Sequence, residues 1–158
     1  MLNNMTIMPK SVRLLQVGGE ALNKSMRYNI EMYNAYGPTE NTVCSTKFKL
    51  SINSDICIGK PISNTFCYVV YFGSLCCIGL DGELWIGGIG VSSEGYHLRD
   101  CLSSEKFIYC NYGRVYRTGD LVYYNENGDL VFKGRIDHQV KIRGYRIELA
   151  EIECLLNN

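Results

Sequence analysis

The sequence predicts an α+β protein that is rich in β-strands. Its 158 residues are the length of about one ordinary domain, taking roughly 150 residues per domain. The hydrophobic fraction of 46% and the charged fraction of 20% are typical of a globular chain. From Ile56 onward, short runs of aromatic and β-branched residues are separated by turn residues, which indicates strands. Helical spacing is weaker and is found over residues 21–30 and 147–156.

The individual strands follow from local patterns. Residues 12–17 read as a buried strand that ends at Gly18 and Gly19. Further strands are predicted over residues 66–72, 83–86, 114–118, 121–124 and 129–132. The last two flank a turn in which Asn127-Gly128 supplies the positive φ that a tight hairpin requires.

Composition excludes several classes of function. Sixteen basic residues balance sixteen acidic ones, so nucleic-acid binding driven by bulk charge is not expected. The uncharged residues 64–80 are interrupted by Gly73 and Ser74 and are fewer than the ~20 of a membrane-spanning helix. Residues 1–5 lack a basic segment that leads into an apolar run, so no signal peptide is predicted and the expected location is cytoplasmic. The eight cysteines have no C-x-x-C spacing, which disfavours a zinc site.

Three segments carry residues suited to chemistry. In residues 33–40, YNAYGPTE, an aromatic ring suits a purine, the Thr39 hydroxyl suits a phosphate oxygen, and the Glu40 carboxylate is a hard ligand for Mg²⁺. The alternative is a capped turn before a strand. In residues 116–120, YRTGD, the two oxygens of Asp120 could accept hydrogen bonds from both hydroxyls of a ribose. Asp after Gly is also common in ordinary turns.

The third segment, residues 134–148, reads GRIDHQVKIRGYRIE. Charged and apolar residues alternate in it, as they would in a strand with one solvated face. That alternative does not explain why so many positive charges surround Gly144, which suggests a nearby phosphate.

In this order, the three segments resemble the adenylation domains of nonribosomal peptide synthetases, within the adenylate-forming superfamily that includes acyl-CoA synthetases and luciferases. Three more runs match: VGGEAL at 17–22, IGKPI at 58–62 and GELWIGG at 82–88. Acyl-CoA synthetases usually have a lysine where Asp137 stands and lack the run QVKIRG, which favours the peptide-synthetase branch.

The resemblance implies a fold and an activity. Residues 1–136 would be the C-terminal part of the large subdomain, a sheet fragment plus a distorted β-barrel. Residues 137–158 would be the hinge and the beginning of a truncated small lid. Such domains activate an amino or related carboxylic acid with MgATP, forming an acyl adenylate. They then load the acyl group onto the phosphopantetheine of a carrier domain, here expected on the same parent polypeptide.

The resemblance also implies site residues. Glu40 would hold magnesium, Asp120 would bind the ribose, Asp137 would be the hinge, and Lys141 would belong to the lid face used in the second step. The implied catalytic set is Thr39, Glu40, Arg135, Asp137 and Lys141. The implied nucleotide contacts are Gly19, Asn34, Ala35, Tyr36, Gly37, Thr39, Asp120, Phe132 and Arg135. The implied acyl pocket is Gln16, Gly18, Ala35, Val43 and Cys44, which hints at a neutral side chain of moderate size.

Departures from the family pattern leave the enzymatic status of the chain open. The Ser/Thr/Gly-rich phosphate loop and the distal lid lysine are absent, so we expect no adenylation by the isolated chain. The alternatives are a catalytically dead binding or structural remnant, and a fragment of an acyl-CoA or aryl-acid ligase. Before the run GEL, the family commonly has an aspartate and then a Pro-rich segment. This chain has FGSLCCIGL there, at residues 72–80.

Overall fold

The computed structural model describes residues 9–20, 22, 30–51, 55–137, 139–142, 145–147, 152, 155 and 156. Strands dominate these residues, and they form three sheets. The elements are β1 Leu14–Gly18, β2 Glu31–Tyr36, β3 Thr46–Lys49, β4 Lys60–Pro61, β5 Thr65–Tyr71, β6 Ser74–Leu75, β7 Gly82–Gly88, α1 Asp100–Lys106, β8 Phe107–Cys110, β9 Gly113–Tyr124, β10 Leu130–Arg135, β11 Val140–Ile142 and β12 Tyr145–Ile147, with a 3-10 turn at Thr39–Asn41.

The first sheet has the order β1-β2-β3-β4. Strand β1 runs parallel to β2, whereas β2, β3 and β4 are antiparallel neighbours. Gly18 lies opposite Ala35 in this register, and a Cβ at Gly18 would clash with the Ala35 carbonyl oxygen. The glycine that ends the first strand is therefore required by the close approach of β2.

The second sheet is antiparallel and has the order β10-β9-β7-β5-β6, with β8 also paired to β9. Alternating residues of these strands point to one face, as the period of a strand requires. Residues of that face form a buried cluster together with Ile58, which lies in the loop before β4. The residues from the strands are Val69, Leu84, Ile86, Val122 and Leu130. The third sheet is the hairpin of β11 and β12.

A short segment, residues 57–59, connects the first two sheets. The Ile58 amide donates to the Leu130 carbonyl at 2.9 Å, and the Leu130 amide donates to the Gly59 carbonyl at 2.8 Å. From the first sheet, the Asn34 side chain donates to the Cys57 carbonyl at 2.7 Å, and the Thr46 hydroxyl donates to the Ile58 carbonyl at 2.6 Å. These bonds bring the end of β2 against β9 and β10.

The α+β, β-rich fold class is confirmed. The predicted hairpin turn is also confirmed: the Asn125 side-chain oxygen accepts hydrogen bonds from the Asn127 and Asp129 amides, and Gly128 has φ +72°. Two predicted strands, 114–118 and 121–124, are one strand, β9, because the chain continues through Gly119 without leaving the sheet. The predicted helices over 21–30 and 147–156 fall largely outside the described residues. In the part of the chain that is described, no helix is long and apolar enough to cross a membrane.

The turn between β5 and β6 places a phenylalanine in an unfavourable conformation. Tyr71 pairs with Ser74, so the loop has two residues, Phe72 with φ +47° and Gly73 with φ +77°. Positive φ at both positions is the type I′ pattern, which favours Asn-Gly. Phe72 is 90% exposed and its ring meets that of Tyr71 edge-on, with centroids 4.4 Å apart, so burial offsets little of the backbone cost.

We expect the substitution Phe72→Asn to raise the free energy of unfolding by about 1 kcal/mol, because Asn tolerates positive φ. The matched control is Gly73→Ala, where an added Cβ meets no atom within 4 Å. It should lower stability by about 1 kcal/mol through backbone conformation alone. Urea unfolding of the three proteins measures both effects. A stability of Phe72→Asn equal to or below that of the parent chain would contradict this reading of the turn.

Candidate functional site

A bulge in β9 contains Asp120, the first residue of the candidate site. Opposite β7, the register passes from Glu83–Leu121 to Trp85–Arg117, so the three residues 118–120 of β9 lie opposite the single residue Leu84. Bulges of this kind change the direction in which a side chain points and are common beside active sites. The Thr118 hydroxyl donates to the Leu84 carbonyl at 2.7 Å and accepts from the Asp120 amide at 3.0 Å. The Thr118 side chain thus stabilises the bulge.

Glu83 supports the same bulge from β7. One carboxylate oxygen accepts from the Gly119 amide at 3.2 Å. The other accepts from Trp85 Nε1 at 2.9 Å and from Arg117, whose Nη2 lies at 3.0 Å. Glu83 therefore fixes the backbone immediately before Asp120, a contact that the sequence did not predict.

The Asp120 carboxylate is the centre of the site. It is 5% exposed and accepts hydrogen bonds from two directions. The Tyr36 hydroxyl donates to Oδ2, and Arg135 Nη1 donates to Oδ1 at 2.8 Å. Burial, and then the charge of Asp120, hold the pKa of Tyr36 well above its usual value, so its phenol remains protonated and a donor. Tyr36, Asp120 and Arg135, which come from β2, β9 and β10, therefore converge.

Arg135 also binds Asp137, the predicted hinge residue. Its Nε and Nη2 donate to the two Asp137 oxygens, each at 2.6 Å, and Nη2 lies 3.1 Å from the Thr118 carbonyl. Gly119 passes so close that a Cβ there would lie 2.8 Å from Arg135 Nη2. The hydrogen bonds from Arg135 lower the pKa of Asp137 below its ordinary value of 3.8. The guanidinium thus joins the buried carboxylate of β9 to Asp137, two residues beyond the end of β10.

The turn after β2 carries Thr39 and Glu40. Thr39 is exposed, whereas Glu40 is 7% exposed and accepts a hydrogen bond at Oε1 from the Tyr96 hydroxyl at 2.6 Å. Among the described residues, no three His, Cys, Asp or Glu side chains form a metal site. A single oriented carboxylate still fits Mg²⁺, which proteins usually hold through one or two carboxylates together with substrate phosphates.

Four of the five residues of the predicted acyl pocket lie together. Gly18 pairs with Ala35, and the Gln16 side chain lies 3.8 Å from the Cys44 sulfur. Val43, the fifth residue, directly precedes Cys44 in the loop before β3 and is 78% exposed, with φ +67°. The structure thus groups these residues at one end of β1 and β2, and their role stays a prediction.

The remaining predicted nucleotide contacts differ in their burial and in what their side chains contact. The Asn34 side chain is buried and is used to bind the 57–59 segment, so its backbone is the part that faces β1. Gly19 is exposed at the end of β1. Gly37 has no room for a side chain, because a Cβ would lie 2.7 Å from the Ser45 nitrogen. Phe132 is half-buried against the same core cluster as Tyr36. Lys141 lies in β11, and its side chain is outside the described structure.

The Arg135–Asp137 pair predicts a particular pH dependence. Because the pKa of Asp137 is lower in the folded chain, the pair stabilises the fold above about pH 4 and is lost as the pH falls through that lowered pKa. We expect Asp137→Asn to reduce the free energy of unfolding at pH 7 by no more than about 1 kcal/mol, because Asp137 is partly exposed. Urea unfolding between pH 7 and pH 2 should show this difference shrinking in acid. A difference that is constant over the whole range would contradict the assignment.

Comparisons with known proteins identify the family of this chain. The AMP-binding enzyme family model matches residues 3–97. Gramicidin S synthase 2 of Brevibacillus brevis is 46% identical over 158 residues, covering 92% of this chain and 4% of that protein. Tyrocidine synthase 1 of Brevibacillus parabrevis is 43% identical over 159 residues, covering 92% of this chain and 14% of that protein. The chain therefore spans a small part of the length of the curated relatives it matches.

Solved structures match over most of the chain. Holo-PA1221, an NRPS protein containing adenylation and PCP domains and bound to a vinylsulfonamide inhibitor, has a TM-score of 0.87 and 31% identity over 94% of this chain and 29% of its own. AB3403, a four-domain nonribosomal peptide synthetase bound to AMP and glycine, has a TM-score of 0.73 and 37% identity over 94% of this chain and 14% of its own. The chain therefore belongs to the AMP-binding enzyme family and corresponds to part of a nonribosomal peptide synthetase adenylation domain.

Proposed function

We propose that this chain supplies part of the MgATP site of an AMP-forming ligase. The ligase would activate an amino or related carboxylic acid and transfer it to the phosphopantetheine of a carrier domain. The convergence of Tyr36, Asp120 and Arg135 is the observation that carries the proposal. Residues from three strands meet there around one buried carboxylate, as the nucleotide assignment requires.

Asp120 would receive the ribose. An ionised carboxylate only accepts hydrogen bonds, which suits the two neighbouring hydroxyls of a ribose. The Arg135 guanidinium holds this carboxylate in one orientation and places a positive charge beside it. Tyr36 would present the aromatic face for the adenine, with Gly19, Gly37 and the backbone of Asn34 and Ala35 around it, and Phe132 would pack behind it.

Glu40 and Thr39 would act at the phosphates. Thr39 is exposed and could donate its hydroxyl to a phosphate oxygen, whereas Glu40 is buried and held in place. Glu40 is the residue that would hold magnesium, and the ion when bound would offset negative charge on the phosphates. A carboxylate substrate must approach an anionic phosphate, so Arg135 would contribute a further positive charge.

The chain would divide at Asp137, with residues 1–136 in the large subdomain and residues 137–158 in the hinge and lid. Arg135 binds Asp120 on one side and Asp137 on the other, so a lid rotation about Asp137 would change the partners of Arg135. Lys141, four residues beyond the hinge, would belong to the lid face used for transfer to the carrier. The adenylation and PCP domains found together in PA1221 support a carrier as the partner.

The acyl substrate would bind beside Gln16, Gly18, Ala35, Val43 and Cys44. Four of these residues lie together at the ends of β1 and β2, next to the Tyr36 turn. Gln16 is polar and uncharged, and the other side chains are small or apolar. An acid with a neutral side chain of moderate size fits this composition.

Binding of AMP by the purified chain tests the site. We expect Asp120→Asn to weaken AMP binding by roughly ten-fold, because a charge-assisted hydrogen bond to the ribose is lost. The control is Glu31→Gln, which removes one negative charge from an exposed pair with Lys49 and should leave affinity unchanged. Isothermal titration calorimetry measures both, and circular dichroism verifies folding.

Two results would contradict the proposed site. The first is equal AMP affinity in the parent chain and in Asp120→Asn. The second is an NMR map in which AMP perturbs β8 and leaves Tyr36, Asp120 and Arg135 unchanged. A parent chain with no saturable AMP binding would likewise reject a nucleotide site formed by these three residues.

A further inference from the structure

Tyr96 makes a contact to Glu40 across 56 residues of sequence. Its hydroxyl lies 2.6 Å from Glu40 Oε1 and donates to it. The two segments also meet through their backbones, since the Ser92 amide donates to the Glu40 carbonyl at 2.9 Å. The Thr42 hydroxyl donates to the Gly90 carbonyl at 2.9 Å. The loop after β7 therefore packs directly on the turn that carries Glu40.

Tyr96 is itself held firmly. Its amide donates to the Ser103 hydroxyl at 2.8 Å, and its ring meets Phe107 edge-on with centroids 5.4 Å apart. Gly95 has φ +75°, and a Cβ there would lie 2.8 Å from the Ser103 oxygen. Contacts with α1 and β8 thus hold Tyr96 in addition to its bond with Glu40.

The direction of the hydrogen bonds follows from counting protons. The Tyr116 hydroxyl lies 3.3 Å from the Tyr96 hydroxyl, and either could donate in that pair. A phenol has one proton, and Tyr96 donates its proton to Glu40, so the Tyr96 oxygen is left as the acceptor in the Tyr96–Tyr116 pair. Burial, and then the bonds to Glu40 and Tyr116, raise the pKa of Tyr96, so this donor keeps its proton.

We propose that Tyr96 is a positioning residue, whose hydroxyl fixes the Glu40 carboxylate in the orientation that receives the divalent cation of the nucleotide. This inference rests on the proposed function of Glu40. A phenol suits the task because it is neutral and orients the carboxylate through a hydrogen bond. A lysine or an arginine would also offset the charge of the carboxylate. Packing on Phe107 requires the ring of Tyr96, whereas the hydroxyl has Glu40 and Tyr116 as its polar neighbours.

The test compares ATP binding by the purified chain with MgCl₂ and with EDTA. In the parent chain we expect Mg²⁺ to raise the affinity for ATP. In Tyr96→Phe, which keeps the ring, this increase should fall by about ten-fold, the effect of one lost hydrogen bond to a charged group. The affinity in EDTA should not change. Tyr109→Phe, at an exposed position of β8, is the matched control and should behave as the parent chain.

A double-mutant cycle with Glu40→Gln shows whether Tyr96 acts through Glu40. Glu40→Gln should abolish the Mg²⁺ effect, and adding Tyr96→Phe should then change nothing further. An unchanged Mg²⁺ effect in Tyr96→Phe, or an equal loss of affinity in EDTA, would overturn the positioning role alone. If the parent chain and Glu40→Gln respond identically to Mg²⁺, the proposed metal role of Glu40 fails, and this inference fails with it.

Discussion

The structure depends on how the buried charge of Asp120 is satisfied. An ionised carboxylate that is 5% exposed costs several kcal/mol unless it is paired and hydrogen-bonded. Two of its donors belong to different sheets, since Tyr36 ends β2 and Arg135 ends β10. The Arg135 bond lies within the second sheet, where Arg135 is the cross-strand partner of Asp120, whereas the Tyr36 bond forms only when the two sheets are docked together. The candidate site is consequently complete only when the first sheet is docked on the second.

The run GELWIGG forms β7, and its alternating residues serve the core and the candidate site. Leu84 and Ile86 are fully buried in the core cluster, as the alternation of a strand requires. Glu83 points to the other face, where it accepts the Gly119 amide and pairs with Arg117. One short strand thus supplies both the core and the support for the bulge that orients Asp120. This dual use ties the position of the carboxylate to the packing beneath it.

Much of the fold could be predicted from the sequence, because strand alternation and turn chemistry act locally. The Asn125–Gly128 turn is an example, since its side-chain hydrogen bonds span four residues. The strand break predicted around Gly119 was wrong, because glycine occurs both at strand ends and at bulges within strands. The contacts of Glu83 and Tyr96 could not be found, because they join residues 36 and 56 positions apart. Tyr96 is one of twelve tyrosines, and no local pattern distinguishes it.

The two buried carboxylates of the site have different surroundings, and this difference separates their chemistry. Asp120 is bound by the Arg135 guanidinium, which offsets its charge and leaves it suited to neutral hydroxyl groups. Glu40 accepts from the phenol of Tyr96, a neutral donor that orients the carboxylate. A cation is attracted to the second kind of carboxylate more than to the first. The proposed assignment of sugar to Asp120 and metal to Glu40 agrees with these donors, a guanidinium at the first carboxylate and a phenol at the second.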